Sequence, residues 1–179
     1  MSYQNFQKAI KLAPSCEFYT CDNGKTPEEI LKSEKLLGIK FSKQNLEFYQ
    51  TLGYLSFHGN EVYGIDPVNF KILEGNSVAH ALSNRKRYKL PKEWLPIYNY
   101  GYGPYAFLDY SHLNAEDEPR VIVAFYNGDE YVIEEVIAED FGDFLLQLVE
   151  TSINEPVDQA VVKNDTVNQK KSLFRFLKK

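Results

Sequence analysis

Helical spacing of apolar residues governs the first third of the chain and a stretch near residue 150, and period-two spacing governs most of what lies between. The first clear helix starts at Thr26-Pro27-Glu28-Glu29. Thr26 takes the N-cap, Pro27 the first helical position, and Glu29 closes a capping box. Ile30, Leu31, Leu36 and Leu37 continue it, and Gly38 ends it. Ser42 caps a second helix, which runs through Leu46, Phe48, Tyr49 and Leu52 to a stop at Gly53. Residues 54–57 and 61–65 then read as strands around the turn His58-Gly59-Asn60. Residues 76–88 form a helix with Val78, Ala81 and Leu82 inward. It closes on Arg85-Lys86-Arg87, read as a solvated helix end that offsets the macrodipole, with a phosphate clamp as the alternative. Residues 94–100 and 105–110 are strands flanking Gly101-Tyr102-Gly103-Pro104. Residues 120–126 and 130–137 make the clearest hairpin, with Asn127-Gly128 suited to a type I′ turn that needs positive φ at both central positions. Residues 139–152 close the domain as an amphipathic helix carrying Phe141, Phe144, Leu145, Leu148 and Val149.

That order predicts an α+β fold in a single domain, a mostly antiparallel central sheet flanked by helices. The expected boundaries are an N-terminal extension over 1–25, the domain over 26–153, and a linker with a basic tail over 154–179. At 179 residues one core suffices without disulfides. The two cysteines give no disulfide framework, and no run approaches the ~18 apolar residues of a membrane span. The N-terminus lacks the continuous apolar core of a signal peptide, which points to a cytoplasmic protein.

Charge is unevenly placed. The total is −5, but residues 163–179 hold six bases and one acid, which leaves 14 bases against 24 acids, or −10, over residues 1–162. A body of that sign repels nucleic acid and attracts basic proteins. The final Ser-Leu-Phe-Arg-Phe-Leu-Lys-Lys is basic and apolar by turns, suited to docking on the domain, to a second chain or to an anionic membrane surface.

The search for chemistry returns no enzyme, no metal site and no cofactor. Cys16 and Cys21 form one pair and His58, His80 and His112 are scattered, whereas structural zinc takes four ligands in two close pairs. Asp109-Tyr110-Ser111-His112 collects the residue types of a triad, but neighbours on a strand point to opposite faces, so Ser111 and His112 are not expected to meet. Gly101-Tyr102-Gly103 lacks the third glycine and following helix of a dinucleotide fingerprint. The carboxylate clusters fall at turns or edges. What remains is surface. Tyr98, Tyr100, Tyr102, Tyr105 and Tyr110 crowd one segment and either pack a β-rich core or offer contact area at low entropy cost. Tyr100, Tyr102, Asp109 and Tyr110 are the candidate partner-binding residues, with the acid run Glu116, Asp117 and Glu118 beside them.

Three stretches together resemble the Smi1/Knr4 family of the SUKH superfamily: EEILKSEKLLGIKF from Glu28, LPKEWLPIYNYGYGPYAFLDYS from Leu90, and VIVAFYNGDEYVIEEVIAEDFGDFLLQLVE from Val121. The likeness covers roughly residues 26–150. Two positions depart from the family pattern: Ser42 stands where a proline is common, and Pro104 where an acid usually follows Gly-x-Gly. The resemblance implies an α+β fold without catalysis. It also implies a bacterial immunity protein that neutralises a cognate polymorphic or contact-dependent toxin, such as a nuclease, by binding it. Fungal relatives imply the other reading, a regulatory scaffold.

Overall fold

The computed structural model describes residues 2–69 and 72–154. In chain order these form α1 (Ser2–Leu12), a 3-10 turn (Ala13–Ser15), β1 (Thr20–Cys21), α2 (Pro27–Leu37), α3 (Lys43–Thr51), β2 (Leu55–Phe57) and β3 (Asn60–Val62). Then come α4 (Ser77–Tyr88), β4 (Trp94–Asn99), β5 (Tyr105–Leu113), β6 (Pro119–Tyr126), β7 (Tyr131–Ala138) and α5 (Phe141–Asn154). The strands make one seven-stranded antiparallel sheet in sequence order, each paired with the next. The α+β reading stands.

Local chemistry explains most of the ends. At α2 the capping box is complete: the Thr26 hydroxyl accepts from the Glu29 N–H at 3.2 Å and the Glu29 carboxylate accepts from the Thr26 N–H at 2.8 Å. Gly38 closes the helix at φ 66°. Ser42 occupies the N-cap of α3, yet its hydroxyl makes no capping bond. The work falls to Glu118, 74 residues beyond Gln44, whose Oε1 accepts from the Gln44 N–H at 3.0 Å. Turn chemistry also differs from expectation. His58 and Gly59 both have positive φ, 48° and 75°, between β2 and β3, as a type I′ turn requires. Asn127-Gly128 does not form one. Only Gly128 is positive, and the Asn127 side chain accepts from the Asp129 and Glu130 N–H groups to shape a four-residue loop.

Residues 2–25, expected as an extension, belong to the single core: Phe6, Ala9 and Ala13 are fully buried. α1 lies along α5, so closely that a Cβ added at Gly142 would stand 2.7 Å from the Phe6 Cβ. Phe6 and Phe48 both pack on Phe141, with ring centroids 6.1 and 5.2 Å apart. α4 lies on β4 and beside α2. Arg85 ties them together, donating to the carbonyl oxygens of Leu37 at 2.6 Å and Lys92. Of the basic triplet, then, Arg85 is a strut, whereas Lys86 and Arg87 are exposed. The expected linker and tail beyond Asn154 lie outside the described residues.

Candidate functional site

Asp109 is buried at the centre of β5. Burial alone would raise its carboxyl pKa. The Ser111 hydroxyl and N–H and the Arg120 guanidinium outweigh that and hold it below the ordinary carboxylate value. Arg120 donates through Nε and Nη2 to Oδ2 at 3.0 and 2.8 Å. Ser111 donates its hydroxyl to Oδ1 at 2.5 Å and its N–H to the same oxygen at 3.1 Å. His112 Nδ1 stands 3.1 Å from Asp109 Oδ2 and 2.9 Å from Ser111 Oγ.

Ser111 and His112 do meet, contrary to the alternation expected of a strand. The pairing of β5 with β6 jumps from Asp109 opposite Arg120 to Leu113 opposite Pro119, so the bulged residues between escape the pleat. The geometry is still not that of a nucleophile. In a triad the carboxylate and the serine use different imidazole nitrogens. Here both face Nδ1, and the serine hydroxyl already donates to Asp109, so no imidazole nitrogen is placed to take the serine proton. The cluster is an ion-paired lock between β5 and β6.

The other expected contact residues divide. Tyr100 is fully buried against Tyr98 with centroids 5.0 Å apart. Tyr110 is half-buried, and its hydroxyl donates to Asn45 Oδ1 at 3.0 Å, binding β5 to α3. Glu118 is buried at the head of α3. These three and Asp109 each have partners within the fold. Tyr102 is half-buried, whereas Glu116 and Asp117 are exposed in the β5–β6 loop. That loop and Tyr102 lie at opposite ends of β5, a strand of nine residues, so roughly 30 Å apart. Tyr102 and the acid run therefore do not form one patch.

Tyr102 instead faces a cleft of about 450 Å³ between the end of α4, the β4–β5 loop and the β6–β7 hairpin. Its walls are Tyr88, Tyr102, Tyr105, Phe125, Tyr126 and Tyr131, with Glu134 among them. Period two in β5 places Tyr105 and Phe107 on one face, their ring centroids 6.1 Å apart. Phe107 supports Tyr131 at 5.8 Å, Tyr131 meets Tyr126 at 5.7 Å, and Tyr126 meets Tyr88 of α4 at 5.0 Å. Burial pushes the Tyr131 hydroxyl up to about 12, and burial with the nearby Glu134 charge raises Tyr102, so these two hydroxyls stay neutral at ordinary pH. Neutral tyrosine faces beside a carboxylate suit an apolar or cationic side chain. Tyr126 and Tyr131, five residues apart, face each other across the β6–β7 hairpin, and Tyr88, at the end of α4, escaped the sequence reading because nothing local joins it to them.

The two sides of this cleft differ in charge: its α4 wall ends on the exposed bases Lys86, Arg87 and Lys89, whereas the strands opposite belong to an acidic stretch. Residues 93–154 contain 13 acids and a single base, Arg120, a net of −12. Residues 127–140 contain six acids and no base. Among the described residues no group of three His, Cys, Asp or Glu side chains is placed to hold a metal ion, and no helix is long and apolar enough to cross a membrane. The model of the SMI1 / KNR4 family (SUKH-1) matches residues 24–147, a span that contains the cleft, the Asp109 cluster and every strand from β2 to β7. No curated protein matches the chain.

Proposed function

The chain belongs to the SMI1 / KNR4 family (SUKH-1), and from that premise we propose that it is a non-catalytic binding domain that acts as an immunity protein in the cytoplasm. It neutralises a cognate, basic toxin by direct binding. The observation that carries this reading is the tyrosine-walled cleft, most of whose walls belong to residues 93–154, a stretch with 13 acids to one base. Tyrosine supplies contact area, and the field of the surrounding acids steers a cationic protein into it. The bound toxin is held at Tyr102, Tyr126 and Tyr131. Glu116 and Asp117, at the far end of β5, contribute at most to steering.

The test is capture followed by rescue. The full chain, tagged, is used as bait in lysate of its own host, and each bound protein is then expressed alone and with the chain. One stoichiometric basic partner that arrests growth alone and is silenced by the chain supports immunity. Captured proteins that leave growth untouched refute it, and several weak partners would favour the regulatory scaffold.

A further inference from the structure

β7 is the last strand of the sheet among the described residues, with β6 on one side. Eight residues long, it carries Val132, Ile133 and Val136 at 36, 40 and 45 % exposure. An apolar strand at the end of a sheet is a site where another segment seats. Asp129, Glu130, Glu134 and Glu139 lie exposed along the strand and at its two ends.

Those acids choose the occupant. A second copy of β7 would set acid against acid, which opposes pairing between copies. An apolar segment with positive charge meets no such penalty, and the chain contains one. Residues 172–179 read Ser-Leu-Phe-Arg-Phe-Leu-Lys-Lys, four apolar side chains among three bases. They lie outside the described residues. We propose that this segment seats along the outer edge of β7 in its own molecule, against Ile133 and Val136 on one face of the sheet and Val132 on the other, its bases against the acids of the β6–β7 hairpin.

The geometry permits it. Near the end of α5, the Ser152 hydroxyl accepts from Asn60 of β3 at 3.1 Å, which places that end over β3. From β3 to β7 is four strand spacings, about 19 Å. Residues 155–171, seventeen in number, span up to about 60 Å when extended. Tethering at that length gives the segment an effective concentration on the order of millimolar, so even a weak contact is well populated. The occupied strand borders the proposed toxin site, but the inference does not depend on that reading.

The experiment is hydrogen exchange with mass spectrometry on the full chain and two full-length variants, Phe174→Asp/Phe176→Asp and Arg175→Glu/Lys178→Glu/Lys179→Glu. Amides of β7 are expected to exchange about tenfold faster in both variants, with β4 and β5 unmoved and the wild-type protection unchanged on dilution. Equal β7 exchange in all three chains overturns the proposal, including when the variants have lost binding to anionic vesicles. Protection that falls on dilution overturns it in favour of a second copy. Toxin capture plays no part in this readout, so the two proposals fail separately.

Discussion

Replacing Asp109 with Ala separates a residue that holds the sheet from one that touches a partner. The substitution removes two charge-assisted bonds from Arg120 and two from Ser111, and it leaves the Arg120 guanidinium facing an apolar methyl. Breaking a buried ion pair from one side costs about 3–5 kcal/mol. Arg120 keeps 26 % of its side chain in water, so part of its charge is re-solvated and the loss falls to about 2–4 kcal/mol. For a chain of this size that lowers the melting temperature by roughly 5–15 °C. The pH dependence gives a second signature. The folded carboxyl titrates below its unfolded value, so its contribution is fully present above the unfolded value and is lost as pH falls through the folded one. Asp109→Asn keeps an oxygen for Ser111 and loses that pH-dependent part. Thermal melts of the three proteins from neutral to acid pH are the assay. An Asp109→Ala chain that melts with the wild type but no longer binds its partner would refute the structural assignment.

Glu118 has the opposite sign. Burial raises its carboxyl above the ordinary value against the pull of the Ser42 hydroxyl and Gln44 N–H, so its ionised form is penalised in the fold, and this part of stability grows as pH falls through the raised value. Glu118→Gln is expected to melt no lower than wild type at neutral pH and to lose that gain on acidification. A lower neutral melt would mean that the charge itself is needed at the head of α3. Phe6→Ala is expected to cost about 3–5 kcal/mol by urea denaturation, since Phe6 is fully buried between α1 and α5. A loss below about 1 kcal/mol would show α1 to be dispensable. Gly142→Ala, with its Cβ 2.7 Å from that of Phe6, is expected to destabilise despite a helix-propensity gain of about 1 kcal/mol. Asp129→Lys/Glu130→Lys, at the exposed hairpin tip, is expected to slow association with the captured partner and flatten its salt dependence. The change in stability should stay within about 0.5 kcal/mol, and unchanged kinetics would remove the steering argument.

The elements were legible where a local rule dictates them. The Thr26–Glu29 box, the Gly38 stop and the Phe141–Val149 stripe each declare themselves within a turn or two of helix, and the structure keeps them. Three things could not be seen that way. α1 carries Phe6 and Ala9, with Ala13 in the turn after it, but one aromatic among small residues makes a faint stripe, and only the packing of Phe6 on Phe141 and Gly142 reveals it. The cap of α3 is supplied by Glu118 and no local pattern announces it, because a carboxylate 74 residues away satisfies the Gln44 N–H while Ser42 stands by. The candidate site differs most. Tyr100, Tyr102, Asp109, Tyr110 and the acid run are neighbours in sequence, and a strand converts such nearness into distance and opposed faces. A cleft is assembled the other way, from single residues of separate elements: the antiparallel register sets Tyr126 opposite Tyr131, and Tyr102 of the β4–β5 loop and Tyr88 at the end of α4 join them. Arg120 shows the same logic in reverse. It is the one base among 13 acids of residues 93–154, and the register places it opposite the buried Asp109. The lone positive charge of that stretch is thus paired within the sheet, and its remaining charged side chains are all negative.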